Sequence, residues 1–235
     1  MRYFVAVLLL WLTAYTLKAQ SGGKHRSAYW IKYNNELTLS EKWLLTTEAE
    51  NRRTFSPDRQ NQVLARTTIS KQITSTLHLG VGLAYNTEYE ADAELWVPEW
   101  RPHEQVELLL VKNKFQIEQR IRVEQQFIRN TAGDELLEDH SLTLRTRYQL
   151  QLIYNFKEKE GEKGNLAVIL WDEPYATPAE KMFFNQNRLS LGIRYQPFQK
   201  MYLKLSYINR IVQTDPDKYQ YWNVLRFTFN HLLEL

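Results

Sequence analysis

From about residue 27 to the end of the chain, apolar and polar side chains alternate with a period of two, the mark of strands with one apolar and one wet face. In Ser75–Thr87 the apolar set is Leu77, Leu79, Val81, Leu83 and Tyr85, opposite His78, Gly80, Gly82, Ala84 and Asn86. In Phe115–Phe127 one face is Ile117, Ile121, Val123 and Phe127, interrupted by Gln119 and Gln125, while the other is wholly polar. Leu142–Phe156 and Arg188–Gln196 repeat the pattern, and further strands read near 27–37, 43–53, 61–71, 102–111, 165–173, 201–211 and 220–233. The Gln-, Glu- and Arg-rich stretch 104–129 would also suit a helix; its neighbours decide for strand.

The connections punctuate these strands. The seven prolines are expected between strands or at their first residue, where no ladder donor is lost. Short connections follow Gln72, Val111 and Gln196, and longer polar ones are expected over 87–101, 129–139, 173–185 and 211–219. Short turns alternating with long loops predict an all-β fold, a transmembrane antiparallel up-and-down β-barrel of about 10–12 strands. The pattern counts eleven, whereas single-chain bacterial barrels have an even number. The expected resolution lies at the N-terminus: a missed strand, or residues 20–37 partly inside the lumen.

The polar face supplies the candidate chemistry. Its strand centres are rich in Arg, Glu and Gln rather than in the Lys, Ser, Thr and Asp of a water-exposed face. Twelve basic residues fall there: Lys32, Arg52, Arg66, Arg120, Arg122, Arg145, Arg147, Arg188, Arg194, Lys204, Arg210 and Arg226. Seven acids share it: Glu36, Glu48, Glu50, Glu107, Glu118, Glu124 and Glu173. Guanidinium–carboxylate forks suit a crowded, enclosed lumen. The expected lumen-lining set is Glu48, Glu50, Arg52, Arg66, Glu118, Arg120, Arg122, Glu124, Arg145, Arg147, Arg188, Arg194 and Arg226. Tyr85, Tyr148, Tyr195, Trp43 and Trp222 suit aromatic girdles at the two membrane interfaces. Gly80, Gly82 and Gly192 face inward, where they relieve crowding.

Composition narrows the classes. The chain has 235 residues, 43% hydrophobic and 24% charged, with 14 Tyr, 7 Trp and no Cys. Thiolate chemistry, disulfides and Cys-ligated metal are therefore excluded, and the +3 charge, spread along the chain, supports no nucleic-acid partner. At the N-terminus, Arg2, the apolar run Phe4–Leu17 and Ala19 predict a signal peptide over residues 1–19, leaving 20–235 as the barrel. The run is too short for a spanning helix. Tyr221–Leu235 alternates to the last residue, as in the C-terminal strands by which barrel-assembly machinery recognises its substrates, although here the chain ends in Leu rather than Phe.

Trp30, Trp43, Glu48-Ala-Glu-Asn-Arg52, Glu99-Trp-Arg101, Arg120-Ile-Arg122-Val-Glu124, Arg145-Thr-Arg147-Tyr148 and Asn185-Gln-Asn-Arg188-Leu189, in that order, resemble the uncharacterised outer-membrane β-barrels of Bacteroidota grouped as domain of unknown function 2490. The resemblance covers essentially the whole chain after the signal peptide. It implies location and architecture and no mechanism.

The remaining candidate motifs carry little chemistry. Asp139-His140-Ser141 is the one adjacent His/Ser pair, but neighbours in a strand point to opposite faces and cannot act as base and nucleophile. The five histidines have no metal-ligand spacing, and His78 reads as a lumen hydrogen-bonder. The acidic, aromatic stretch Glu88–Arg101 reads as a solvated loop before a Ca²⁺ or sugar site. No cofactor is implied. The expected function is a structural or accessory outer-membrane barrel with a charge-paired lumen, not an enzyme, whose partners are outer-membrane lipid, the assembly machinery and an envelope protein. The alternative is a narrow anion-selective porin for acidic oligosaccharides or other small anions. A lipid-modifying barrel enzyme is a remote third.

Overall fold

In the computed structural model, residues 24–157, 163–177, 184–215 and 218–234 are described; the expected signal peptide lies outside them. They form eleven strands: β1 (Lys24–Ser40), β2 (Trp43–Phe55), β3 (Asp58–Gln72), β4 (Leu77–Glu90), β5 (Leu95–Lys112), β6 (Phe115–Ala132), β7 (Glu135–Asn155), β8 (Leu166–Ala176), β9 (Phe184–Phe198), β10 (Met201–Asp215) and β11 (Lys218–Glu234). Each pairs with its sequence neighbours, and β1 closes on β11 to complete one barrel.

The odd count is real. With eleven strands running alternately up and down, the first and last point the same way, so closure needs one parallel ladder. It runs from Lys24↔Gln220 to Thr38↔Glu234. The expectation of an even number fails for that reason. The described residues close the barrel with eleven strands, and Lys24–Ser40 forms wall, hydrogen-bonded on both sides, rather than entering the lumen.

The long loops expected over 87–101 and 129–139 are mostly strand. β4 and β5 pair out to Glu90↔Leu95, and β6 and β7 out to Ala132↔Glu135. Likewise β8 continues to Ala176 and β10 to Asp215. Alternation does not reveal these extensions, because near the rims the two faces lose their contrast: residues 95–97 are apolar on both, and 129–131 are polar on both. Among the described residues, the connections after β2, β4 and β6 on the rim expected to carry long loops are short turns, at 56–57, 91–94 and 133–134. The connection between β7 and β8, from 156 to 165, is among the longer ones, and it lies on the rim where β11 ends, here the C-terminal rim. The opposite, N-terminal rim carries the start of β1 and the tip of the β6–β7 hairpin.

Pro98, Pro102, Pro174 and Pro197 also depart from expectation, lying inside β5, β8 and β9. An antiparallel residue directs its N–H toward one neighbour, so a proline interrupts one ladder and leaves the other intact. Pro102 pairs with Leu83 of β4, whereas the β5–β6 ladder skips from Trp100↔Phe127 to His103↔Glu124. Pro174 pairs with Asn187 of β9, whereas the β7–β8 ladder skips from Arg147↔Tyr175 to Leu150↔Asp172.

The polarity of the wall is reversed relative to a water-soluble domain. Its outer face exposes Ile31, Leu79, Val81, Leu110, Ile121, Leu144, Leu170, Leu191, Ile193 and Phe229, among others. The buried side chains are mostly polar or charged, including Glu50, Arg66, Arg122, Glu124, Arg147 and Glu173. A smaller apolar cluster lines part of the inner wall, built from Trp30, Ile153, Ile169, Trp171, Ile208, Trp222 and Val224.

Candidate functional site: the charged lumen

Alternation decides which side chains reach the lumen, and the closed ladder fixes their heights. The structure puts all thirteen expected lumen residues on the inner wall. Glu48, Glu50, Arg52, Arg66, Arg122, Glu124, Arg147, Arg188 and Arg194 are buried. Glu118, Arg120, Arg145 and Arg226 line the cavities described below.

Glu124 is the hub. It has no solvent exposure, accepts from Arg145 of β7 at 2.5 Å and from Arg66 at 3.4 Å, and forms an ion pair with Arg147 at 2.9 Å. Because β3 and β6 are not neighbours, the Arg66 contact crosses the lumen. Arg66 also reaches Glu48 at 3.4 Å, and Glu48 takes Lys32 at 2.6 Å. Glu173 of β8 is a second hub: Arg120 of β6 reaches over β7 to it at 3.1 Å, Arg147 stands 3.8 Å away, and the Tyr175 hydroxyl donates to it at 2.6 Å. Carboxylates shared among several guanidiniums from different strands tie the wall together across its interior.

Inward aromatic rings form a second layer of contacts. The Arg52 guanidinium lies 4.2 Å from the Trp30 ring centroid, and Arg188, from the far side of β10 and β11, stands 5.3 Å from the same ring. Arg188 also lies 4.8 Å from Tyr175, and Arg226 stands 5.3 Å from Trp171. Such cation–π contacts gain strength away from water.

Several of these residues escaped the pattern reading. Glu88, Glu99, Arg101 and His103 fall in the stretch taken for a loop or at the start of the next strand, yet all face inward. Glu99 pairs with Arg101 beside it and accepts from Asn86 at 3.2 Å and from Gln126 at 2.6 Å. Trp171 and Tyr175 share the parity of Glu173, a signal present in the chain, but β8 (LAVILWDEPYA) is apolar on both faces and masks it. Trp222 is a correction: it is 7% exposed and belongs to the inner apolar cluster, not to an outer girdle. Trp43, Tyr85, Tyr148 and Tyr195 are exposed on the outer face.

The two polar interruptions of β6 are answered on the outer face itself. The Tyr148 hydroxyl donates to Gln119 at 3.0 Å, and the Gln125 amide donates to Glu104 at 3.0 Å. Gly82 admits His103: a Cβ there would come within 2.6 Å of the imidazole ring, whose Nε2 lies 3.0 Å from the Thr68 hydroxyl. His78 lines the lumen. Ser141 donates to Asn130 at 2.5 Å rather than to His140. Among the described residues no group of three His, Asp or Glu side chains could hold a metal ion.

Two cavities remain inside the barrel. One, of about 250 Å³, lies in the half nearer the N-terminal rim; eleven basic side chains line it against four carboxylates, Glu50, Glu88, Glu118 and Glu173. The other, of about 500 Å³, lies toward the C-terminal rim and is nearly balanced, with five basic side chains against Glu36, Glu48, Glu107 and Glu118. They meet at a waist where Lys32, Glu118, Arg120, Gln149, Gln151, Lys204 and Arg226 line both.

An all-β closed barrel with an apolar exterior and an ion-paired interior is therefore the class to which this chain belongs. Within that class it is a member of the family described as protein of unknown function (DUF2490), which matches residues 27–221. No curated protein matches the chain.

Proposed function

We propose that the chain is an outer-membrane β-barrel with a charge-paired lumen, and that it acts as a structural or accessory barrel of the envelope rather than as an enzyme. One observation carries the reading: the wall exposes Leu, Ile, Phe and Tyr outside and buries Arg–Glu networks that bridge non-adjacent strands. Water-soluble monomers keep apolar patches to ~300–600 Å², whereas here large apolar side chains are exposed on all eleven strands. Each strand is paired with a neighbour on both sides, so the sheet has no open edge strand, as hydrocarbon demands. Outer-membrane lipid is its first partner, the assembly machinery acts during biogenesis, and the apolar wall is available to an envelope protein.

A second reading, a narrow anion-selective porin for acidic oligosaccharides or other small anions, is favoured by the excess of basic side chains around the cavity nearer the N-terminal rim. Single-channel recording of the refolded chain in a planar bilayer under a salt gradient separates the two. The accessory reading expects a heat-modifiable barrel without steady conductance. Steady anion-selective steps replace it with the porin, and fractionation of the native protein away from the outer membrane overturns both.

A further inference from the structure

The surplus positive charge is not spread evenly around the lumen. The inward positions of β9, β10 and β11 from Gln186 to Asn230 carry Arg188, Arg194, Lys204, Arg210 and Arg226 and no carboxylate. Glu124 and Glu173 hold arginines of β3, β6 and β7, and Glu173, level with Arg188 on the adjacent β8, forms no ion pair with it. Within the sector, Arg188, Lys204, Arg210 and Arg226 make no ion pair among the described residues. Arg210 donates to the Gln186 amide oxygen at 3.1 and 3.0 Å, and Lys204 reaches Gln151 at 3.5 Å. The Nε atoms of Arg188 and Arg226 and the Nε2 of Gln186 are buried with no hydrogen-bond partner.

The planes of two of these guanidiniums are nevertheless held. Arg188 lies against Trp30 and Tyr175, and Arg226 against Trp171. A ring on a guanidinium face leaves its N–H edge to form the planar fork that matches phosphate and carboxylate oxygens. All four cations line the cavity of about 250 Å³. Unpaired buried cations oppose one another and the fold; a compact multivalent anion would satisfy both the charge and the free donors.

We propose that this cavity is a binding site for a compact polyanion carrying at least two phosphate or carboxylate groups, gripped by Arg188, Arg210, Arg226 and Lys204 and admitted from the N-terminal rim. The inference rests on the barrel reading and deepens it: the lumen holds an anion rather than passing it freely.

The experiment is calorimetric titration of the full chain refolded in detergent, at constant ionic strength, with tripolyphosphate and with citrate as probes, each paired with a thermal unfolding scan. Saturable binding of either probe, with a raised unfolding midpoint, is expected, and the preferred probe assigns phosphate or carboxylate chemistry. Arg188→Gln with Arg226→Gln should weaken binding at least tenfold. Without anion this double variant should unfold at a higher temperature than the wild type, since two uncompensated charges are gone. A purely structural pair of arginines would give the reverse. Arg226→Lys, which keeps the charge and loses the fork, should fall between. If the double variant does not fold, Lys204→Gln carries the same two readouts. Absence of binding of both probes by a folded, heat-modifiable barrel overturns the site, as does undiminished binding by the variants. Either result leaves the conductance test of the barrel reading untouched.

Discussion

Neutralising Glu124 tests whether the ion-paired interior holds the barrel together. Glu124→Gln keeps the shape and removes the charge that three guanidiniums share at 2.5, 2.9 and 3.4 Å. Breaking a buried pair by removing one partner costs about 3–5 kcal/mol, because the other charge is left uncompensated. Arg66 and Arg147 keep second carboxylates, Glu48 and Glu173, so the true orphan is Arg145. The expected loss is therefore toward the low end, about 3 kcal/mol. Denaturant unfolding of the refolded barrel, followed by tryptophan fluorescence and by the heat-dependent shift in gel mobility, measures it. The matched control is Glu107→Gln: this carboxylate lines the larger cavity and makes no ion pair among the described residues, so its loss should stay below about 1 kcal/mol. Adding Arg145→Gln to Glu124→Gln should restore part of the stability, since the stranded cation is then gone. If Glu124→Gln matches Glu107→Gln, or the double variant is merely additive, the network does not carry the stability assigned to it.

Three further outcomes are expected. Gly82→Ala forces a methyl group against the Thr67 carbonyl and the His103 ring and should destabilise by about 1–3 kcal/mol in the same unfolding assay; Gly133→Ala, with open space around it, should cost less, about 1–2 kcal/mol from its left-handed backbone alone. The parallel seam predicts that Ile31→Cys with Phe227→Cys, directly paired in register, cross-links under an oxidant in a chain with no other cysteine; a free first strand would leave the two thiols unlinked. In bilayers of brominated lipid, a variant retaining Trp100 alone, 47% exposed on the outer face, should be strongly quenched, and one retaining Trp30 alone, 2% exposed, should not; equal quenching would refute the assignment of the two faces.

The chain discloses the wall far better than its contents. Most of the strands are visible as alternation because outward Leu, Ile and Phe face a row of Arg, Glu and Gln across one backbone. Where that contrast fades, the reading fades with it. The ends of β6 and β7 are polar on both faces and pass for loop, and β8 is apolar on both faces and hides Trp171 and Tyr175. Prolines tolerated inside β5 and β8 mislead in the same way, because a pattern along one strand says nothing of which neighbour its N–H would have met. The parity that points Arg145 and Arg147 inward is local, but their meeting with Arg66 at one carboxylate depends on the register of every strand between β3 and β7. No motif can state that.

The same logic explains how an ion-paired wall and a cluster of cations without ion pairs coexist in one lumen. A carboxylate on β6 or β8 can serve arginines on its neighbours and across the lumen, so a few acids suffice to lock the β3–β8 side. On β9–β11 the inward row offers no acid, and Arg188 and Arg226 rest on Trp30, Tyr175 and Trp171 instead. Aromatic rings hold a guanidinium in place without neutralising it. A wall selected for stability alone would have brought a carboxylate into ion-pair contact with each of these cations, since a buried charge without one costs free energy. Departures of this kind from local consistency concentrate at functional sites. The cation-rich sector is accordingly the part of the lumen where a ligand, rather than the fold, completes the electrostatics.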